Sequence, residues 1–379
     1  METKRLGVYV HIPFCRSKCN YCDFYSLPGA EKLFDMYEKA LRRHMREYGE
    51  YLEQRDVDTV YFGGGTPSHF GSKRLAALLE ELYKRFYITE GCEITAEANP
   101  ESITLADMRR LRRAGFNRIS IGVQSTRDED LQVLGRPHTF ADAKRAVEDC
   151  RRAGFQNVSI DLIFGLPGQS LYAWQDVLGE ALTLKPDHVS CYGLKVEPGT
   201  PFYQHRASYD FPDDDAQADM YLYAAGTLVQ EGFSHYEISN FARRGCQSRH
   251  NLKYWKLEEY LGLGPAAHSD LNGKRFSMVR DVRRYMDDLA AGRSVIDEIE
   301  DITPVVRRTE YVMLGLRTNQ GISPDYLEKH FGVSFAKAAA YLAVLETGGF
   351  VRRFEDRYCL TAQGFLVSNT IINEVLERI

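Results

Sequence analysis

The first half of the chain repeats one pattern six times, a short run rich in β-branched residues followed by a longer amphipathic segment. Predicted strands cover residues 6–12, 57–62, 93–98, 118–123, 157–163 and 188–194. Predicted helices cover residues 31–55, 72–86, 105–114, 140–153 and 171–182, where apolar residues recur three and four positions apart. A strand, a crossover helix and a second strand give parallel neighbours, so the pattern predicts an α/β fold with a parallel sheet.

Six units are fewer than the eight that close a TIM barrel, which leaves an open sheet or an incomplete barrel. We predict a partial (β/α)6 TIM-like barrel of parallel strands over residues 1–212. In both architectures, function belongs at the carboxyl ends of the strands. Those ends carry the cysteine, glycine and polar residues of this sequence, so we expect the site there.

The remaining chain divides into two smaller regions by pattern. Residues 213–300 are aromatic-rich and irregular, and we predict a linker or accessory region. Residues 301–379 predict short helices and one strand pair, which is a mostly helical, winged-helix-like outline. This last region has nine basic and nine acidic residues. Because it lacks the positive charge of a nucleic-acid reader, we expect a packing or docking module and no nucleic-acid partner.

The eight cysteines are distributed unevenly, with three inside one short segment and five scattered singly. A secreted disulfide framework does not have this pattern. The N-terminal residues do not form a signal sequence, and no apolar run is long enough for a transmembrane segment. We therefore expect a reducing, cytoplasmic location. The net charge of −5 indicates no particular partner.

Three cysteines, Cys15, Cys19 and Cys22, form a C-x₃-C-x₂-C loop directly after the first predicted strand. A tetrahedral zinc site needs a fourth ligand, for which His11 is a candidate. A [4Fe–4S] cluster normally takes four cysteines, so three would leave one iron open. An open position is typical of a catalytic metal site rather than a structural one.

This loop resembles the signature of the radical S-adenosylmethionine superfamily. The resemblance implies that S-adenosylmethionine chelates the open iron and is cleaved to a 5′-deoxyadenosyl radical. The three cysteines would be the metal ligands, and no catalytic side chain is assigned. The residues that match cofactor contacts of the superfamily are Tyr9, Tyr21, Gly64, Gly65, Thr66, Glu97, Gln124, Arg136 and Asp161.

Within the superfamily, the stretches YVHIPFC, GGGTP, GVQS and DLIFGLP resemble oxygen-independent coproporphyrinogen III oxidase and its paralogue, a heme chaperone. The oxidase pattern has a further cysteine two residues after the third, where this chain has Phe24. The chaperone pattern, H-N-x-x-Y-W, is matched by residues 250–255. The departure from the oxidase pattern and the match to the chaperone pattern both favour the chaperone branch, with the oxidase as the alternative. A radical enzyme acting on another substrate, such as an RNA base, is a third hypothesis suggested only by the winged-helix outline.

The H-N-x-x-Y-W motif predicts a heme site with His250 as the iron ligand, because a neutral imidazole is a common heme ligand. Tyr254 and Trp255 offer flat faces to a porphyrin, and Asn251 is a candidate to orient the imidazole. The alternative is a core histidine among packing aromatics. His235, His268 and Cys246 are weaker candidates for heme or substrate contact.

The resemblance to the chaperone branch also implies the protein's partners. We expect heme, acceptor hemoproteins such as respiratory cytochromes, and a reducing electron donor such as flavodoxin or ferredoxin. Contact with the membrane would come through the acceptor proteins.

Overall fold

The six predicted strands of the first half are all present in the computed structural model, which describes residues 5–52 and 55–379. The strands are β1 (Leu6–Ile12), β2 (Phe14–Cys15), β3 (Leu27–Pro28), β4 (Asp56–Gly64), β5 (Tyr87–Ala98), β6 (Arg118–Gln124), β7 (Asn157–Phe164), β8 (His188–Gly193), β9 (Ser234–Glu237), β10 (Asn240–Ala242), β11 (Tyr260–Leu263), β12 (His268–Leu271), β13 (Lys274–Met278), β14 (Ile296–Asp301), β15 (Val351–Phe354) and β16 (Arg357–Leu360).

The five predicted crossover helices are present as α1, α3, α4, α6 and α7. The helices are α1 (Phe34–Tyr51), α2 (Pro67–Phe70), α3 (Ser72–Arg85), α4 (Leu105–Ala114), α5 (Asp128–Val133), α6 (Phe140–Arg152), α7 (Leu171–Leu182), α8 (Pro201–Gln204), α9 (Asp214–Gln230), α10 (Arg249–Trp255), α11 (Val282–Ala290), α12 (Pro304–Gly315), α13 (Pro324–Phe331), α14 (Ala336–Thr347), α15 (Ala362–Leu366) and α16 (Ser368–Leu376). The helix predicted over residues 31–55 ends earlier, at Tyr51, and residues 53–54 lie outside the described residues, as do residues 1–4.

Side-chain caps explain why several helices begin where the pattern predicts. Thr104 accepts a hydrogen bond from the Asp107 amide, and the Asp107 carboxylate accepts one from the Thr104 amide. Thr139 and Asp142 form the same reciprocal pair at the start of α6. Each capping box satisfies amides that the first helical turn leaves without partners, so these starts are set locally.

The strands form one mixed sheet in the order β14-β13-β12-β11-β1-β4-β5-β6-β7-β8-β10-β9. The run from β11 to β8 is parallel throughout, which gives the six predicted strands a seventh parallel neighbour, β11. Antiparallel strands extend both edges. The parallel strands are buried on both faces, as β6 illustrates with every residue buried. The fold is therefore mixed α/β with a large, mainly parallel sheet.

The C-terminal region forms helices α12 to α16 and the β15–β16 hairpin. Helix, turn, helix and hairpin follow the predicted winged-helix-like order. Arg307 pairs with the buried carboxylate of Asp270 on β12, at 2.8 Å. Ile238 donates a backbone hydrogen bond to Arg317. These contacts attach the C-terminal region to the antiparallel parts at both ends of the sheet. The division into three domains at residues 212 and 300 stays a prediction.

Along the described residues, no helix is both long enough and apolar enough to cross a bilayer.

Candidate functional site

The cysteine loop leaves the carboxyl end of β1 and is closed by a short parallel pair, β2 with β3. Asn20 fixes its middle, because its amide donates to the Leu134 carbonyl and its side chain donates to the Val133 carbonyl. The Cys22 amide donates to the Cys19 carbonyl at 3.3 Å, which turns the second half of the loop. The loop is therefore held in place by backbone contacts within the protein.

The cysteine thiols are half-buried and have polar neighbours. Thr66 Oγ1 lies 3.4 Å from the Cys15 sulfur, and Arg136 Nη1 lies 3.5 Å from the Cys19 sulfur. Burial raises the pKa of Cys15 and raises the pKa of Cys22 to about 11. Binding of a metal cluster to these thiolates therefore releases protons.

The glycine turn after β4 lies against the end of β1. A Cβ at Gly64, whose φ is +111°, would collide with the His11 imidazole, and a Cβ at Gly65 would lie 2.8 Å from the Phe14 carbonyl oxygen. The Gly65 amide also donates to the Ile12 carbonyl at 2.8 Å. These positions need glycine for close backbone approach, and they bring Thr66 to the cysteine loop.

Two half-buried carboxyl groups, Glu97 on β5 and Asp161 on β7, line the same space. Glu97 accepts hydrogen bonds from the Tyr61 hydroxyl at 2.8 Å and from the Gly64 amide at 3.2 Å. Burial raises the pKa of Glu97 to about 7. Burial also raises the pKa of Asp161, to which the Ser120 hydroxyl donates. Both carboxyl groups can accept hydrogen bonds from a ligand. Because the pKa of each is raised, a cationic ligand group between them would favour their charged forms.

Arg136 connects the cysteine loop to the ends of β5 and β6. Its Nη2 donates to Asn99 Oδ1 at 2.7 Å and to the Gly122 carbonyl at 2.9 Å, while Nη1 reaches Cys19. Its buried Nε has no hydrogen-bond partner among the described residues. Burial opposes the charge of Arg136, but Tyr21 and Cys19 outweigh it and raise its pKa. A half-buried, permanently cationic donor at this position suits an anionic ligand group.

These groups line one cavity of about 400 Å³, the cluster cavity. It contains every predicted site residue except Tyr9 and His250. Residues from the ends of β1 and β8 line it together, although four strands separate them in the sheet, so the sheet curls around the cavity. Lining residues that sequence reasoning did not single out include Tyr61, Asn99, Arg118, Ser120, His188, Ser190 and Tyr192. Asn99 and Tyr192 stand at strand ends, which is the signal that would have found them.

A second space of about 440 Å³, the aromatic cavity, adjoins the first and shares Phe24, Gly64 and Glu97 with it. The other residues that line it are Tyr9, His11, Tyr25, Tyr254, Tyr260, Ala266, Ala267 and His268. Phe24 is 67% exposed and stands between the two cavities. The departure from the four-cysteine pattern therefore places an aromatic ring at the boundary between them.

His250 is fully buried and lines neither the cluster cavity nor the aromatic cavity. Its Nδ1 lies 2.9 Å from the Thr59 hydroxyl, and its Nε2 lies 2.8 Å from the Tyr254 hydroxyl. Burial, with a contribution from the Lys253 charge, lowers the pKa of His250 to about 3, so the imidazole is neutral. Thr59 and Tyr254, and not Asn251, orient the ring.

Asn251, Tyr254 and Trp255 line a third cavity of about 570 Å³, which we call the α10–α12 cavity. It extends from the motif helix α10 to Met313 and Leu314 on α12. Tyr254 is common to this space and the aromatic cavity. Asn251 also lines the cluster cavity, so the motif helix contributes to all three cavities while its histidine points into the protein.

The donor set fits an iron–sulfur cluster better than a zinc knuckle. His11, the candidate fourth zinc ligand, has both ring nitrogens engaged, with the Tyr9 hydroxyl at 3.0 Å and the Tyr25 carbonyl at 3.1 Å. Within residues 5–52 and 55–379, no three ligand-type side chains converge for a single ion. In a cubane cluster, each thiolate binds a different iron, and three thiols around one cavity suit that requirement.

Two family models match the chain. The radical SAM superfamily matches residues 9–180, and the HemN C-terminal domain matches residues 302–367. The first match contains the cysteine loop and all the strand ends of the cluster cavity except that of β8, and the second covers most of the winged-helix-like region.

Curated relatives and one solved structure match over nearly the whole chain. "Heme chaperone HemW" of Bacillus subtilis (strain 168) is 34% identical over 98% of this chain and 99% of its own length. "Radical S-adenosyl methionine domain-containing protein 1, mitochondrial" of Danio rerio is 34% identical over 85% of this chain and 75% of its own. The coproporphyrinogen III oxidase HemN of Escherichia coli superposes with a TM-score of 0.85 at 24% identity, over 100% of this chain and 91% of that one, which shows a shared fold. The full-length identity shows that this chain belongs to the HemW family within the radical SAM superfamily.

Proposed function

We propose that the protein is a heme chaperone that binds a [4Fe–4S] cluster, S-adenosylmethionine and heme, and delivers heme to acceptor hemoproteins. The observation that carries this proposal is the full-length identity to relatives named heme chaperone HemW. The site supports it, because a cysteine cavity adjoins an aromatic cavity.

The cluster cavity would hold the first two groups. The cluster would be bound by Cys15, Cys19 and Cys22, and its open iron would bind S-adenosylmethionine. When bound, the cluster and S-adenosylmethionine would together supply one-electron chemistry. Glu97 and Asp161 suit the cationic and hydroxyl groups of S-adenosylmethionine, and the free Nε of Arg136 suits its carboxylate. Gln124, with a φ of +67° at the end of β6, presents a further amide.

Heme would occupy the aromatic cavity. Tyrosine and phenylalanine faces provide flat apolar contact for a porphyrin, with hydroxyl groups at their edges. His250 lies behind Tyr9 and Tyr254, with ring centroids 6.4 Å and 5.2 Å away. The imidazole would reach iron after Tyr254 gives up its hydrogen bond.

Partners and location belong to the same proposal. The acceptors would be hemoproteins such as respiratory cytochromes, and a flavodoxin or ferredoxin would supply the electron. A cytoplasmic location, with membrane contact only through acceptors, stays a prediction.

Anaerobic protein with a reconstituted cluster tests the proposal against its enzymatic alternative. We expect hemin to bind with one-to-one stoichiometry, the complex to load an apo-cytochrome faster than free hemin does, and His250→Ala to weaken hemin binding. Incubation with coproporphyrinogen III, a reductant and S-adenosylmethionine should give no protoporphyrinogen. Absence of a hemin complex, or stoichiometric decarboxylation, would overturn the proposal.

A further inference from the structure

The His268 imidazole stands at the edge of the aromatic cavity with no hydrogen-bond partner among the described residues. The cavity has two lining histidines, and the other, His11, uses both ring nitrogens on Tyr9 and Tyr25. His268 is exposed, whereas His250 and His11 are buried. An accessible imidazole beside flat aromatic walls is the side chain that iron in a porphyrin binds.

The backbone that presents His268 is fixed before any ligand arrives. Ala266 has a φ of +58°, an uncommon conformation for a residue with a Cβ. Its amide donates to the Val279 carbonyl at 3.2 Å, and the Met278 amide donates to the Ala267 carbonyl at 2.8 Å. Gly262 is required beside it, because a Cβ there would collide with the His268 carbonyl. His268 therefore starts β12 from a strained but well-bonded loop.

A free cation lies next to this loop. Arg280 follows Val279, places its guanidinium 5.5 Å from the Tyr25 ring centroid, and forms no ion pair in the part of the chain that the structure describes. Tyr25 itself lines the aromatic cavity. A porphyrin carries propionates at one edge, so a cation at the rim complements apolar walls and an imidazole.

We propose that His268 is an iron ligand of heme bound in the aromatic cavity, accessible before any rearrangement, with His250 as the second imidazole once Tyr254 releases it. This inference rests on the proposed function. Tyr254 and Tyr9 contact His250 and also line the cavity that His268 borders, so both imidazoles adjoin one space. His268 makes first contact with the heme, and His250 completes the ligation.

Hemin titration of the cluster-loaded protein, followed by absorbance and by electron paramagnetic resonance of the ferric heme, tests this assignment. Mutation of a residue that only hydrogen-bonds to a metal ligand lowers metal affinity by about 10- to 100-fold. Loss of a ligand itself should cost at least as much, so His268→Ala should weaken hemin binding by at least about tenfold. The absorbance and resonance spectra of this variant should show one imidazole ligand fewer than those of wild type. His268→Cys should give a thiolate-ligated spectrum in its place. Iron-free protoporphyrin should bind wild type and His268→Ala equally, because the cavity walls remain.

The matched control is His205→Ala, which removes another exposed imidazole outside the three cavities. It should titrate as wild type. If His268→Ala and His268→Cys keep the wild-type affinity and spectrum while His250→Ala loses ligation, the assignment of His268 is wrong and the proposed function stands. If wild type forms no hemin complex, the proposed function fails and this inference fails with it.

Discussion

The hydroxyl of Tyr254, a residue that lines the aromatic cavity, lies 2.8 Å from Nε2 of the buried His250. Nδ1 is held by the Thr59 hydroxyl, so both nitrogens of the neutral ring are occupied inside the protein. An iron ligand must exchange one of these hydrogen bonds for a metal bond. In the proposed heme site, Tyr254, which lies on the same motif helix, would have to release His250 before that ring binds iron.

Tyr254→Phe removes the hydrogen bond to His250 Nε2 while keeping the aromatic ring. A hydrogen bond of this kind contributes about 0.5–1.5 kcal/mol, so hemin affinity should rise by roughly two- to tenfold. The gain should vanish in Tyr254→Phe/His250→Ala, measured by the same titration. Equal hemin affinities for Tyr254→Phe and wild type would show that the Tyr254 hydrogen bond does not limit iron binding by His250.

Arg280→Gln tests the contact with a propionate. A hydrogen bond to a charged group contributes about 1.5–3 kcal/mol, and the exposure of Arg280 to solvent reduces this contribution, so we expect a loss of roughly tenfold in hemin affinity. Hemin dimethyl ester, which lacks the propionate charges, should bind the variant and wild type alike. Arg284→Gln is the matched control, because that exposed arginine is paired with Asp288 at 3.4 Å. Equal losses for the two arginine variants would contradict a specific contact.

Glu97 should make binding of S-adenosylmethionine depend on pH. Its pKa is raised to about 7 by burial, so the carboxylate loses its charge as the pH falls through 7. Affinity for the cationic ligand should therefore be full above pH 8 and decline toward pH 6. Glu97→Gln should bind roughly 10- to 100-fold more weakly at pH 8, with a flatter profile. Isothermal titration of cluster-loaded protein measures this, with the exposed Glu90→Gln as a control; an unchanged profile in Glu97→Gln would refute the assignment.

Arg136 should raise the reduction potential of the cluster that Cys19 would help to bind. A cation 3.5 Å from a ligating sulfur stabilises the reduced, more negative cluster. Arg136→Gln should therefore shift the reduction potential to more negative values, and Arg136→Lys should retain part of the wild-type value because it keeps the charge. Potentiometric titration followed by electron paramagnetic resonance gives the potential, and iron content confirms equal loading. Equal potentials in Arg136→Gln and wild type would contradict this role.

The barrel strands and their crossover helices were predictable because their signals are local. The helices over residues 105–114 and 171–182 match the structure at both ends, and capping residues such as Thr104 set the starts. Strand β11 was not predicted, because it is only four residues long and includes a glycine, Gly262, so it gives no periodic signal. It joins β1 only through tertiary pairing.

The cluster cavity was predictable for a topological reason, because carboxyl ends of parallel strands meet at one edge. Cys15, Glu97 and Asp161 are far apart in sequence and line one space. The direction in which His250 points was not predictable. Helix α10 is seven residues long, and its inward face is decided by the Thr59 hydroxyl and the Asp58 carboxylate on β4, neither of which belongs to the motif.

Lys253 anchors the motif helix, and its removal should be costly. Its side chain is 2% exposed, and its ammonium lies 2.8 Å from Asp58 Oδ1 and 2.9 Å from Glu258 Oε2. Lys253→Met leaves the buried Asp58 carboxylate with only the more distant guanidinium of the exposed Arg249, at 3.7 Å, which should lower the free energy of unfolding by up to about 3–5 kcal/mol. Adding Asp58→Asn should restore part of that loss, because the poorly paired charge is then gone. Urea unfolding followed by circular dichroism measures both.

The control for Lys253 is Lys84→Met, which breaks an exposed pair with Glu80 inside α3. An exposed pair of this kind contributes about 0.3–0.5 kcal/mol, so this variant should unfold close to wild type. A Lys253→Met protein that also unfolds close to wild type would mean that α10 is held by the His250–Thr59 bond and by the Glu93 carboxylate, which accepts the Arg249 and His250 amides at 3.0 Å. In that case, Glu93→Gln should loosen the helix instead, because it weakens both backbone contacts at once.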